Sequence, residues 1–270
     1  MTTMSNKDNT FILTVSCRAV TGVVASATGH LAERNCYISA MEQYDDESTG
    51  NFFMRLVFRL QKNSPSIDEL KQSFAEVSDV YDMIWHIHKI DEPVKVLIMV
   101  SKYDHCLDDL LYRHRIGELA MDIVAIVSNH QDLRPMAERE GIRFVHLPID
   151  KENKAQQEER LLQIINETGT QLVVLARYMQ ILSNNLTAQL SGRCINIHHS
   201  FLPGFKGGKP YHQAFDRGVK VIGATAHYVT TDLDEGPIIE QILTRVDHTC
   251  QPEHLVKAGR DNESMALAKA

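Results

Sequence analysis

The 270 residues carry a formal net charge of -7, with 43% hydrophobic and 23% charged residues. That is an ordinary globular mixture, long enough for one large domain or two ordinary ones. No block of basic residues offers a phosphate-tracking face, so no nucleic-acid partner is expected. The five cysteines (Cys17, Cys36, Cys106, Cys194 and Cys250) are scattered, odd in number and without a CxxC pair, which fits reduced thiols rather than a disulfide frame or zinc site. The N-terminus MTTMSNKDN has no apolar signal core and no apolar run approaches a membrane span, so a cytoplasmic protein with no membrane partner is expected.

Phe11 to Val15 reads as an apolar strand and Gly22 to Arg34 as a helix with small residues on its buried face. Cys36 to Tyr44 and Phe52 to Leu60 read as strands joined by the polar turn Asp45 to Gly50. In the second of these, Phe53, Arg55, Val57 and Arg59 alternate with Met54, Leu56, Phe58 and Leu60, as in a half-buried antiparallel sheet. Ser66 and Glu69 form a capping box that opens the next helix, and Met83 to His88 is the last strand. The order βαββαβ is the ferredoxin-like split unit. With Gly22 at the first strand–helix junction, residues 1–90 resemble an ACT domain. That resemblance implies subunit pairing into a homo-oligomer and a small amino-acid effector.

Asp91-Glu92-Pro93 makes a linker. From residue 94 to 270 strands and helices alternate, the mark of a Rossmann-like, doubly wound, mostly parallel α/β sheet. Val94 to Val100, Asp122 to Ser128, Phe144 to Leu147 and Gln171 to Ala176 are predicted strands. Leu107 to Ala120 and Lys154 to Glu167 are predicted helices. Pro252 to Ala270 reads as an amphipathic helix with Leu255, Val256, Met265 and Leu267 as its apolar positions.

The chemistry concentrates between Cys194 and Gln241. A strand-like Cys194-Ile195-Asn196-Ile197-His198 is followed by His199, Ser200, a Pro203-Gly204 turn and a loop from Phe205 to Pro210. A short helix, Tyr211 to Arg217, leads to a strand, Val221 to Val229, and then to the acidic loop Thr231 to Pro237. Asn196 and His198, two apart on a strand, face the same side. An Asn amide can donate to an oxyanion, a His can move a proton, and an Asp can orient that His or activate water. Singly, each has an ordinary explanation: a turn Asn, a satisfied His, an Asp-Glu-Gly turn. His198, His199, His212 and His227 with Asp232 and Asp234 also invite a metal reading, but none has HExxH spacing.

Together, Asn196-Ile197-His198, then Ser200-x-Leu202-Pro203-x-Phe205-Lys206-Gly207, then Asp234 with Gly236-Pro237, resemble the folate-dependent formyltransferase superfamily. The resemblance covers roughly the last two-thirds of the chain. It implies Asn196, His198 and Asp234 as the catalytic set, metal-free chemistry and no retained cofactor, the folate being substrate. It implies a pterin pocket walled by Met179, Gln180, Ile181 and Leu182, with Lys154 near the folate's glutamate tail, and His227 and Asp232 beside the substrate.

Within the superfamily, enzymes that act on a ribonucleotide carry a glycine-rich loop after the first strand, where backbone N–H groups cradle phosphate. Here the loop is Ser101-Lys102-Tyr103-Asp104-His105-Cys106, without glycine and with Asp104 opposing a phosphate. The acceptor implied is water. The ACT-like segment and Ser128-Asn129-His130 resemble the deformylase branch, which converts 10-formyltetrahydrofolate to tetrahydrofolate and formate. The chain departs from that branch at Ala19 and Val20, where an Asp and an Arg are usual, and the branch's pattern continues past the point at which this sequence stops. A formyltransferase with another amine acceptor and a silent folate- or amino-acid-binding regulator are the alternative readings.

Overall fold

The computed structural model describes residues 9–150, 152–204 and 210–270. The chain divides into two compact units, Met1–Glu92 and Pro93–Ala270. The stretch Phe205 to Lys209 of the sequence motif lies outside the described residues.

In the first unit the elements are β1 (Thr10–Arg18), α1 (Val23–Glu33), β2 (Cys36–Asp46), β3 (Asn51–Leu60), α2 (Ile67–Val80) and β4 (Ile84–Lys89). The sheet is antiparallel in the order β2-β3-β1-β4, so the first strand is paired on both sides. Gly22 takes φ +100° at the N-cap of α1, a conformation that favours glycine, and a Cβ there would press on the Tyr81 hydroxyl. The capping box of α2 forms as the sequence predicts, with Ser66 and Glu69 each satisfying the other's backbone N–H. Both helices pack on one face of the sheet, around Leu13, Leu31, Leu56, Phe58, Leu70 and Phe74.

In the second unit the elements are β5 (Val94–Val100), α3 (His105–Arg115), β6 (Met121–Ser128), α4 (Arg134–Arg139), β7 (Phe144–His146), α5 (Lys154–Thr168), β8 (Leu172–Leu175), α6 (Asn184–Gln189), β9 (Cys194–His198), α7 (Pro210–Asp216), β10 (Val221–Tyr228), β11 (Ile238–Arg245) and α8 (Pro252–Lys269). The sheet order is β11-β10-β9-β8-β5-β6-β7. From β7 to β9 the pairs are parallel; β10 and β11 extend the sheet by antiparallel pairs. Two apolar layers cover its two faces, one around Ile98, Val100, Leu107 and Ile126, the other around Leu97, Met99, Val127 and Ile164. No helix of the described residues is long and apolar enough to cross a membrane.

Three elements escape the sequence reading: α4, α6 and β11. The two helices have only six residues each, too short to show a helical period. β11 is an edge strand with no fully buried residue; its Ile239 and Ile242 pack on the core, but they lie three apart across a register irregularity and so break the strict alternation of a strand. The helix expected to run to Ala120 ends at Arg115, because Gly117 adopts φ +76° and its N–H returns to the His114 carbonyl. In α8 the buried stripe is Leu255, Gly259, Asn262, Glu263, Ala266 and Leu267, while Met265 faces outward.

The loop after β10 is fixed by backbone contact. The Tyr228 N–H donates to the Pro237 carbonyl at 2.9 Å, and a Cβ at Gly236 would run into the Tyr228 carbonyl oxygen. Gly236→Ala is therefore expected to lower stability by about 1–3 kcal/mol, the usual cost of overpacking. Chemical denaturation of both proteins checks this; an unchanged midpoint would contradict the tight backbone approach.

Candidate active site

The antiparallel register of β9 and β10 sets Asn196 opposite His227, and His198 opposite Thr225. Across that register the Asn196 Nδ2 lies 3.2 Å from the His227 Nε2. The other ring nitrogen, Nδ1, lies 2.9 Å from the Tyr228 carbonyl oxygen. A carbonyl only accepts, so Nδ1 carries the proton, and in the neutral ring Nε2 accepts from the Asn196 amide. The same bond thus sets the orientation of Asn196, with its nitrogen toward His227.

Asp234 reaches this pair from the loop after β10. It sits at φ +58°, a left-handed conformation that Asp tolerates better than most residues. Its Oδ2 accepts from the His198 Nδ1 at 3.2 Å, and its Oδ1 lies 3.7 Å from the His227 Nε2, too far for a direct hydrogen bond. The hydrogen bond with His198, with His227 alongside, holds the Asp234 carboxyl far below the usual carboxylate range. The His198 Nε2 is buried and has no hydrogen-bond partner among the described residues. Buried polar atoms are rarely left that way, which marks Nε2 as a group awaiting a ligand.

These residues line a cavity of about 310 Å³. Met179, Gln180, Ile181 and Leu182 form one wall, and Thr230, Thr231 and Leu233 are among the residues of the opposite one. Met179 and Ile181 are exposed, so their apolar surface faces the cavity rather than the core. The wall is held from behind. The Met179 N–H donates to the Ser101 Oγ at 2.9 Å, and the Ser101 hydroxyl donates to the Asn129 Oδ1 at 2.7 Å. Ser101 and Asn129, both buried, thus position this wall; the sequence shows Asn129 only within a motif resemblance and Ser101 only as a loop residue, with no role for either. Their only signal is a polar residue directly after an apolar parallel strand.

Not every expected residue reaches the cavity. Lys154 opens α5, with its Nζ 4.0 Å from the Glu158 Oε1, and Asp232 is exposed on the loop; neither lines the cavity. His227 does line it.

A second polar cluster adjoins the cavity. Glu263, 1% exposed on α8, accepts from the Tyr211 Oη at 2.7 Å, meets the His105 Nε2 at 2.7 Å and the Arg177 Nε at 3.3 Å. Burial works to raise the Glu263 carboxyl, but His105, Arg177 and Tyr211 outweigh it and hold the group below its ordinary value. Among the described residues, three or more His, Cys, Asp or Glu donor atoms converge only at His105, Cys106 and Glu263. The histidines and aspartates between His198 and Asp234 do not converge in that way. At His105 to Glu263, the Arg177 cation already neutralises the carboxylate. The sequence signal for Glu263 was its place on the buried stripe of α8, where an acid is out of character.

The comparisons with known proteins agree with this geometry. The chain matches the formyl transferase family over residues 94–270. A formyltetrahydrofolate deformylase of Corynebacterium sp. (strain P-1) is 50% identical over 259 residues, which are 96% of this chain and 91% of that one. The crystal structure of a formyltetrahydrofolate deformylase from Burkholderia mallei has a TM-score of 0.94 and 52% identity, covering 97% of this chain and 92% of that one. A phosphoribosylglycinamide formyltransferase from Anaplasma phagocytophilum has a TM-score of 0.60 and 30% identity, covering 65% of this chain and 83% of that one. The chain belongs to the formyl transferase family, and its relatives along nearly the whole length place it among the formyltetrahydrofolate deformylases.

His199, next to His198 in the chain, carries a pH prediction. Burial first, then the Arg177 cation, lowers its pKa to about 4. The folded value lies below that of an unfolded His, so between roughly pH 6.5 and 4 the unfolded chain holds a proton that the folded one lacks. Stability is then lost as pH falls through that window, by at most about 3 kcal/mol from this group. Substituting His199→Gln should flatten the fall in melting temperature between those limits. A variant with the wild-type slope would assign the acid sensitivity elsewhere.

Proposed function

We propose that the protein hydrolyses 10-formyltetrahydrofolate to tetrahydrofolate and formate, with Asn196, His198 and Asp234 as catalytic residues. The observation that carries the assignment of residues is the convergence of three side chains from one strand and a loop on one cavity, with His227 of the neighbouring strand bracing them. The reading of water as acceptor rests on the full-length likeness to deformylases, against a transferase likeness that covers about the share of the chain that the second unit makes.

The pterin ring enters between the Met179–Leu182 wall and the Thr230–Leu233 side, with the formyl group toward Asn196 and His198. Water attacks the formyl carbon while the Asp234 Oδ1, the carboxylate oxygen not bonded to His198, takes its proton. The oxyanion that forms accepts from the free Nδ2–H of Asn196 and from the Nε2–H of His198 in its imidazolium form. Both nitrogens of that ring then donate, Nδ1 to Asp234 and Nε2 to substrate. The tetrahedral intermediate collapses as the C–N10 bond breaks and N10 takes the proton that Asp234 received from water, which restores the carboxylate and releases tetrahydrofolate and formate. Every charge in this scheme is met by a side chain, and no metal or cofactor takes part.

A formate assay with purified protein and 10-formyltetrahydrofolate, without amine, tests the reaction; no formate above the uncatalysed rate would end this reading. Asp234→Asn is expected to keep folate binding and to lower the rate of formate release by about 10²–10⁴-fold, the usual worth of general-base catalysis. A variant turning over near the wild-type rate would remove Asp234 from the proton-transfer step.

We further infer that the ACT-like unit pairs subunits in a cytoplasmic homo-oligomer serving the one-carbon pool and formate supply for purine synthesis. Its sheet is covered by helices on one face only. The other face carries Tyr37, Tyr44, Phe53 and Ile84, the last 69% exposed, and Tyr44, Phe53 and Ile84 line a shallow cavity there. Monomers seldom leave such a patch open. A small amino acid at this unit is the effector class the reading implies. The double variant Phe53→Asp, Ile84→Asp should lower the molar mass by light scattering; an unchanged mass would remove this face from the interface.

A further inference from the structure

In the second unit the strand order reverses between β5 and β8: β6 and β7 continue to one side, β8 and β9 to the other. Open α/β sheets receive ligands outside the carboxyl ends of their strands at such a reversal. Here that crevice is occupied by the chain's own side chains. Arg177 lies two residues past β8, at φ +64°, a left-handed conformation for which glycine is the default. It is 8% exposed. Its guanidinium carbon stands 4.8 Å above the ring of Tyr103, from the loop after β5, and its Nε is held by Glu263 of α8. Glu263 is fixed in turn by His105 and by Tyr211, whose ring packs so closely on Gly259 that any Cβ there would strike it. Four segments therefore clamp one cation over the ends of β5 and β8.

Such a cluster is a poor way to gain stability, because burying ions costs about as much as pairing them returns. Left-handed strain at Arg177 adds to that cost. The cluster also borders the reaction site, since Arg177 and His199 line the same cavity as Asn196, His198 and Asp234. Stacking on one side and an ion pair on the other place the guanidinium across the crevice, with its Nε and Nη1 buried and making no hydrogen bond among the described residues.

We propose that Arg177, held by Tyr103 and Glu263, is a specificity-determining residue that closes the switch-point crevice to amine acceptors and leaves room for water alone. This rests on the deformylase reading above. The excluded reaction has the same balance as hydrolysis. The amine nitrogen bonds to the formyl carbon and gives up a proton, the C–N10 bond breaks, N10 takes a proton, and an N-formyl amine leaves in place of formate. Closing the crevice is therefore what separates the two outcomes of one catalytic set.

The test is a product ratio. Purified full-length protein is given 10-formyltetrahydrofolate with an excess of glycinamide, and formate and formylglycinamide are measured against an enzyme-free blank. Wild type is expected to yield formate alone at every amine concentration. Arg177→Gly suits the left-handed backbone and removes the side chain. It is expected to bring the ratio of formylglycinamide to formate to at least about ten times the detection limit under which wild type stays, increasing with amine concentration. Tyr103→Ala, at an exposed ring, should raise it less, and it decides the matter should the glycine variant not fold. A merely structural role would lower both products together and leave the ratio unchanged. Formate alone from a folded Arg177→Gly, or formylglycinamide from wild type at the variant's ratio, would overturn the proposal. Wild type that releases no formate would instead defeat the deformylase reading, and the inference with it.

Discussion

The pairing of Asn196 with His227 across β9 and β10 is the constraint on which the site depends. Because strand residues alternate between faces, that single register fixes which face carries Asn196 and His198, and a slip of one residue would turn both away from the cavity. It also decides the amide orientation of Asn196, since the Tyr228 carbonyl commits His227 to protonation at Nδ1. Asp234 then needs only to return along the loop after β10. That return is set by the Tyr228–Pro237 backbone bond and the close approach of Gly236. Three polar groups are placed by backbone geometry rather than by long flexible side chains, which suits a site that must be organised before substrate arrives.

What could be read from the sequence follows from the range of each interaction. The Asn196–His198 pair is local, two residues apart on an apolar strand, and its shared face is evident. The capping box at Ser66 is local too, as are the strongly periodic β3 and the apolar run of β5. The convergence of Asp234 on His198 spans 36 positions and a change of strand direction, so only a motif resemblance could suggest it. The register shift between Ala226 and His227, next to the Asn196–His227 pairing, leaves no mark in composition. The switch-point cluster was the least legible part. It joins Tyr103, Arg177, Tyr211 and Glu263 from four segments, and its members look singly like a loop aromatic, a surface cation, a helix aromatic and a helix acid. The left-handed backbone at Arg177 is invisible in sequence because no glycine announces it.

The two carboxylates of the second unit show why a depressed pKa does not by itself identify a base. Both Asp234 and Glu263 are held below their ordinary range by hydrogen bonds and neighbouring cations. Glu263 has both oxygens engaged, one by Tyr211 and the other by His105 and Arg177, and no approach for a water. It can fix charges but not exchange protons with a substrate. Asp234 has one oxygen committed to His198 and the other free of direct hydrogen bonding, at the edge of the cavity. A carboxylate held so low is a weak resting base. In the proposed hydrolysis it becomes an effective one only as the C–O bond forms, when the attacking water turns acidic. The site thus relies on geometry and timing rather than on the standing basicity of Asp234. The same difference in committed oxygens separates the carboxylate assigned to proton transfer in the proposed reaction from the one assigned to shaping the space around it.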